Sequence, residues 1–184
     1  MHKTIPHGAF YYGTSIFLLS TIDKEGNTNI SPLSSSFSLL DNIVIGIYKQ
    51  SKGFANLLET PEAVINFLPE TLAPTLDKIE KLSGHHIQNK FEIAGLTPQT
   101  STLVKPLRIL ESPLQAEVSV AKISDLSDSG FALIEFKIKT VHANEDILFD
   151  ETRIDPNKWK PLIYNFRHYY GLTESKGKNF KAYC

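Results

Sequence analysis

Cysteine is almost absent: the 184-residue chain has one, Cys184, and it is the last residue. An intramolecular disulfide framework is therefore excluded, which fits a reducing compartment, and a buried cysteine nucleophile is not expected at a terminal position. Nor is there a run of about 18 apolar residues to cross a bilayer, or an apolar signal-peptide core in the opening MHKTIPHGAFYYG. Charge of one sign is lacking too. With 19 Lys plus Arg against 20 Asp plus Glu, no broad field draws the chain to nucleic acid or an anionic membrane. These absences predict a soluble, cytoplasmic protein with no nucleic-acid and no membrane partner. Also missing are G-x-G-x-x-G after a strand, G-x-x-x-x-G-K-[ST], H-E-x-x-H and G-x-S-x-G, so a Rossmann dehydrogenase, a P-loop NTPase, a zincin and an α/β-hydrolase lack their signatures. The adjacent His85 and His86 point different ways, which suits cap or solvent roles better than a metal site.

What is present is globular. Hydrophobic residues make up 41% and charged residues 21%, which is not a disordered composition. The chain reads as one domain, 1–184, with an arm at 1–12 carrying Phe10, Tyr11 and Tyr12 and a polar tail at 173–184. Folding at this size removes roughly 70% of the unfolded surface from water. Apolar segments at 15–22, 43–48 and 63–68 read as buried strands. Period-two alternation at 114–120 puts Leu114, Ala116, Val118 and Val120 on one face and Gln115, Glu117 and Ser119 on the other. At 131–143, Ala132, Ile134, Phe136 and Ile138 share a face, and His142 falls on that apolar parity. An imidazole so placed can serve a ligand or a core carbonyl. Helices are expected at 54–60, stopped by Pro61, and at 70–84, where Leu72, Leu76, Ile79 and Leu82 precede Gly84. Asp155-Pro156 predicts a third, with Trp159, Leu162, Ile163 and Phe166 as its stripe and an end near Gly171. Residues 89–106 read as a polar loop. Many short strands at close spacing favour a barrel, mainly β with peripheral helices, over a doubly wound sheet.

One stretch asks for more than a fold. After the Glu25-Gly26-Asn27 turn come Ser34, Ser35, Ser36 and Ser38, too small to fill a core, with Leu33, Phe37, Leu39 and Leu40 among them. Small side chains let a flat aromatic ligand lie against a strand, while hydroxyls and backbone N–H groups orient it. A strand with a wet serine face fits the same residues.

The order of motifs resembles the flavin reductase-like, FMN-binding split-barrel family, which includes flavoredoxins and NAD(P)H:flavin oxidoreductases. It consists of Asp23, Gly26, Asn29, Ser31, Pro32 and Ser34, then Asn56-Leu57 and Val64-Ile65-Asn66, then Lys90-Phe91 and Gly95-Leu96-Thr97-Pro98. Leu110-Glu111-Ser112-Pro113-Leu114 with Glu117, Val141-His142 and Tyr169-Tyr170-Gly171-Leu172 complete it, so the resemblance spans about 13–172.

That resemblance implies an FMN-binding split β-barrel, a homodimer with FMN near the subunit interface, and NADH or NADPH as hydride donor. A flavin-dependent oxygenase or another electron acceptor would be its partner. It implies that Asn29, Ser31, Pro32, Leu33, Ser34, Ser35 and Ser36 edge the isoalloxazine, and it draws His142 toward the flavin or nicotinamide as the catalytic candidate. The FMN phosphate needs hydroxyls, N–H groups and a cation, which Lys49-Gln50-Ser51-Lys52-Gly53 supplies before a helix N-terminus, with Asn56 beyond. The family commonly has a threonine where this chain has Gly53. Two other readings stay open: an FMN-binding electron carrier without nicotinamide activity, and a split-barrel scaffold that has lost flavin.

Overall fold

The computed structural model describes residues 1–6, 8, 10–87, 89–127 and 129–179. His7, Cys184 and the last residues of the polar tail lie outside the described residues. From the N-terminus run β1 (Tyr12–Ser15), β2 (Phe17–Ile22), β3 (Thr28–Leu33), β4 (Ser36–Leu39), β5 (Asn42–Tyr48), α1 (Lys52–Glu59) and β6 (Glu62–Phe67). A 3-10 turn leads into α2 (Ala73–Ile79), followed by α3 (Lys90–Ala94), β7 (Pro98–Gln99) and β8 (Arg108–Ile109). The long hairpin of β9 (Leu114–Asp125) and β10 (Phe131–Ala143) precedes β11 (Leu148–Asp150), β12 (Arg153–Ile154), β13 (Ile163–Asn165) and β14 (His168–Tyr170).

Seven strands form one antiparallel sheet in the order β3-β2-β6-β9-β10-β5-β4. Its two ends, β3 and β4, are consecutive in the chain yet unpaired, which makes the barrel split rather than closed. Alternation sets Ile43, Ile45 and Ile47 of β5 opposite Phe136, Ile134 and Ala132 of β10. These fill the barrel with Phe17, Leu19, Ile65 and Val118, and α1 adds Phe54 and Leu57. A second apolar cluster joins Leu18 and Ile30 to Leu76 and Ile79 of α2 and Phe91 of α3. Period two turns the alternate residues of β5 and β10, among them Val44, Gly46, Tyr48, Phe131 and Leu133, away from the first core.

Three expectations change. The predicted helix after Asp155-Pro156 is only one turn, with the Lys158 and Trp159 N–H groups bonded to the Asp155 carbonyl. Pro161, which has no N–H to continue a helix, instead bridges to Pro69, and the chain extends into the β13–β14 hairpin. Phe166 and Arg167 form its tip at φ 43 and 68, the paired left-handed conformation that a two-residue hairpin turn requires. Residues 89–106 are not all loop, for α3 is capped by Asn89 and ended by Gly95 at φ 70. The polar face of β9 is not solvated either: Gln115 and Glu117 are buried.

Candidate functional site

Ser34 and Ser35 form the link between β3 and β4. The Gly46 N–H donates to the Ser35 carbonyl at 2.9 Å, and a Cβ at position 46 would stand 3.4 Å from the Ser35 Cβ. Serine and glycine thus meet with nothing rising between them, and they floor an open cleft of about 610 Å³, a size typical of small-molecule sites. Pro32, Leu33, Ser34, Ser35 and Ser36 all line it. Its walls are aromatic. Tyr48 packs on Phe131 with ring centroids 5.3 Å apart, while opposite them Tyr164 packs on Tyr11 at 5.0 Å and on Tyr169 at 5.8 Å. The arm is fixed to the hairpin by the Phe166 N–H, which donates to the Tyr11 carbonyl at 2.6 Å.

Of the remaining predicted cofactor residues, Asn29 and Lys52 line a smaller hollow of about 140 Å³, together with Asp23, Gly84 and His85. Here the first turn of α1 meets β3. The Ser51 Oγ accepts the Phe54 N–H at 3.2 Å, whereas helix geometry leaves the Lys52 and Gly53 N–H groups without intrahelical partners. Lys52 Nζ donates to Asp23 at 3.1 Å. Burial raises the Asp23 carboxyl, but the Asn27 N–H and the Lys52 ammonium outweigh it and hold the pKa below its ordinary value. Lys49 is separate, paired with Asp125 at 2.9 Å. Asn56 lies buried beneath the helix, donating to Thr21 Oγ1 at 3.1 Å.

The hollow fits an anion in one respect. Asn29 donates from Nδ2 to Ser31 Oγ at 3.0 Å while its buried Oδ1 has no partner. Turning the amide over lets Oδ1 accept from the Ser31 hydroxyl and presents Nδ2 as a donor to the hollow. A Cβ at Gly53 would lie 3.3 Å from Ser31 Oγ, so β3 closes on the turn where a threonine would stand, and the one O–H of Ser31 is given to Asn29.

His142 is not among the cleft residues. Its Nε2 lies 2.7 Å from Oε1 of Glu117, whose carboxylate also accepts the Thr102 N–H at 2.7 Å and the Leu103 N–H at 2.6 Å. Burial raises the Glu117 pKa, but these N–H groups and the imidazole more than offset it, so the net shift is downward. Asn66 is structural, donating to Leu18 O and Ser20 Oγ and accepting from the Ile109 N–H. Sequence reasoning missed Tyr48, Tyr164, Tyr169 and Glu80 as cleft residues. The Tyr169-Tyr170-Gly171-Leu172 segment carries a family signal in the sequence, but no role.

The Bacillus subtilis (strain 168) protein YdfE is 41% identical over 194 residues, covering 98% of this chain and 94% of its own length. Flavoredoxin of Desulfovibrio vulgaris (Miyazaki F) superposes with a TM-score of 0.89 over 99% of both chains at 24% identity. Nitrilotriacetate monooxygenase component B from Bacillus cereus does so at 0.79, with 18% identity, over 90% of this chain and 87% of its own. At those identities the two structures establish the fold. The flavin reductase like domain matches residues 9–173, through both clefts and every strand of the barrel, and the chain belongs to that family.

Proposed function

We propose that this chain binds FMN and acts as an NAD(P)H-dependent flavin reductase in the cytoplasm. The observation that carries the reading is the pairing of a flat, aromatic-walled cleft with an anion-suited hollow along one strand. From Asn29 at the hollow to Leu33 at the cleft, on the same face of β3, is four residues, about 13 Å, which suits a ring joined to a phosphate by a short chain.

In this reading Ser34, Ser35, Ser36 and Gly46 form the bed for the isoalloxazine, while Asn29, Ser31, Lys52 and the first turn of α1 hold the phosphate. When bound, FMN supplies the two-electron chemistry, taking hydride from NADH or NADPH. The protein's part is to lay two rings face to face and keep water out, for which the tyrosine walls are suited. His142, outside the cleft of its own chain, enters only if a second copy brings it there. Phe37, Leu39 and Leu40 on and beside the edge strand β4 are 57%, 67% and 99% exposed, an apolar edge suited to a homodimer. A flavin-dependent oxygenase or another electron acceptor would use the product.

Titration with FMN tests the binding. Saturable uptake, with stabilisation of about 2.7 kcal/mol at one hundred times Kd, supports it, and an unmoved melting temperature with no uptake refutes it. A second reading, an FMN-binding electron carrier without nicotinamide activity, is favoured by one feature: among the described residues no Lys, Arg or His lines the cleft. NADH and NADPH oxidation by the FMN-loaded protein separates the two.

A further inference from the structure

The charge of the large cleft is one-sided. Among the described residues its lining is aromatic, aliphatic and hydroxylic except for a single carboxylate, Glu80, at the end of α2. Tyr169 donates its hydroxyl to Glu80 Oε2 at 2.9 Å, fixing that carboxylate against the aromatic wall. The Tyr169 pKa is pushed up to about 12, first by burial, then by the hydrogen bond to Glu80, with Asp77 adding to the negative field. Tyr169 therefore stays a protonated donor. Two cations of the neighbouring strands and helix are held elsewhere: Lys52 by Asp23 and Lys49 by Asp125.

From this arrangement we infer that Glu80, positioned by Tyr169, selects the second reactant of the cleft by charge: a planar ring that is neutral or cationic is taken, and one carrying a carboxylate or phosphate beside the ring is rejected. Tyrosine faces favour a flat cation through their quadrupoles, and the carboxylate adds attraction of the same sign. A dinucleotide phosphate placed at this end would meet a carboxylate and, among the described lining residues, no counter-charge. A nicotinamide donor must therefore enter ring first with its phosphates outside. A compact acceptor without phosphate fits whole. The redox meaning rests on the flavin reading of the preceding subsection, whereas the charge selection does not.

Three rings of one shape test it on the purified full-length chain: 1-methylnicotinamide (cation), nicotinamide (neutral) and nicotinate (anion), titrated at low salt by saturation-transfer NMR. Contact-range charge interactions in water are worth about five-fold in affinity. Affinity is expected to fall by about that factor at each step from cation to neutral to anion, with the order fading at high salt. E80Q should level the series and E80K reverse it. Y169F should narrow it, because the carboxylate loses its holder. Circular dichroism and melting temperature confirm that the variants fold. Nicotinate binding as tightly as the cation, an order unchanged in E80Q, or no binding of any ring would overturn the inference. FMN titrated into the same samples keeps the two claims apart: a charge order without FMN uptake defeats the flavin reading alone, and FMN uptake without a charge order defeats this one alone.

Discussion

Replacing Glu117 by glutamine tests how the far side of the barrel is held. In the native chain Oε1 of Glu117 faces the Thr102 N–H and His142 Nε2, while Oε2 takes the Leu103 N–H at 2.6 Å. Glutamine keeps one oxygen for the first pair but sets an NH₂ against the Leu103 N–H, donor against donor. The loss is one charge-assisted hydrogen bond, the ion pair with Arg108 Nε 3.8 Å from Oε1, and one N–H left against a donor, about 3 kcal/mol together. For a domain of this size that lowers Tm by roughly 6–12 °C, and amide exchange should quicken first at 100–106. The pH dependence follows from the direction of the shift. Folding lowers the Glu117 pKa below its ordinary 4.5, so as pH falls the unfolded chain takes up the proton first. The stabilisation is thus present above about pH 4.5 and lost below it. The difference between native and E117Q stability, measured by urea unfolding, should be largest at neutral pH and shrink as pH falls below that point. A loss under about 1 kcal/mol at pH 7, or a difference independent of pH, would refute the reasoning.

Other changes address the proposed cofactor bed. Ser35→Leu puts a bulky side chain on the cleft floor and should abolish FMN uptake with the fold intact; retained uptake in a flavin absorbance titration counts against the bed. Asn29→Ala or Lys52→Met removes a phosphate partner, and fluorescence titration should show FMN affinity falling about ten-fold, the effect of losing one charge-assisted bond. Arg167→Gly relieves a left-handed residue at φ 68 and should stabilise the hairpin by about 0.5–1 kcal/mol. A lower melting temperature would contradict that.

The barrel was legible because its strands carry their signal locally. Alternation alone set Ala132, Ile134 and Phe136 on the core side, and Ser34 to Ser36 announced space beside a strand. What escaped depends on distant chain. Glu117 sits on the polar parity of β9, and Thr102, Leu103, His142 and Arg108 close around it from distant chain. His142 looked inward by parity, yet a register shift between Ile138 and Thr140 separates it from the strand's earlier phase and leads it to Glu117. The spacing of Trp159, Leu162, Ile163 and Phe166 suited a helix, but Pro161 outweighs it. The signals for α3, Asn89 before and Gly95 after, are in the sequence, but so short a helix carries little periodicity to support them. Glu80 and Tyr169 stand 89 residues apart in the chain, and no local pattern foretells their meeting.

The central claim is that a flavin rests on the serines and glycine of the open cleft with its phosphate at the first turn of α1. Titrating FMN into the purified chain and recording visible absorbance and melting temperature tests it most directly. The account predicts saturation at one FMN per chain, with a perturbed flavin spectrum and a raised Tm. A free-flavin spectrum at every ratio, with Tm unchanged, would contradict it.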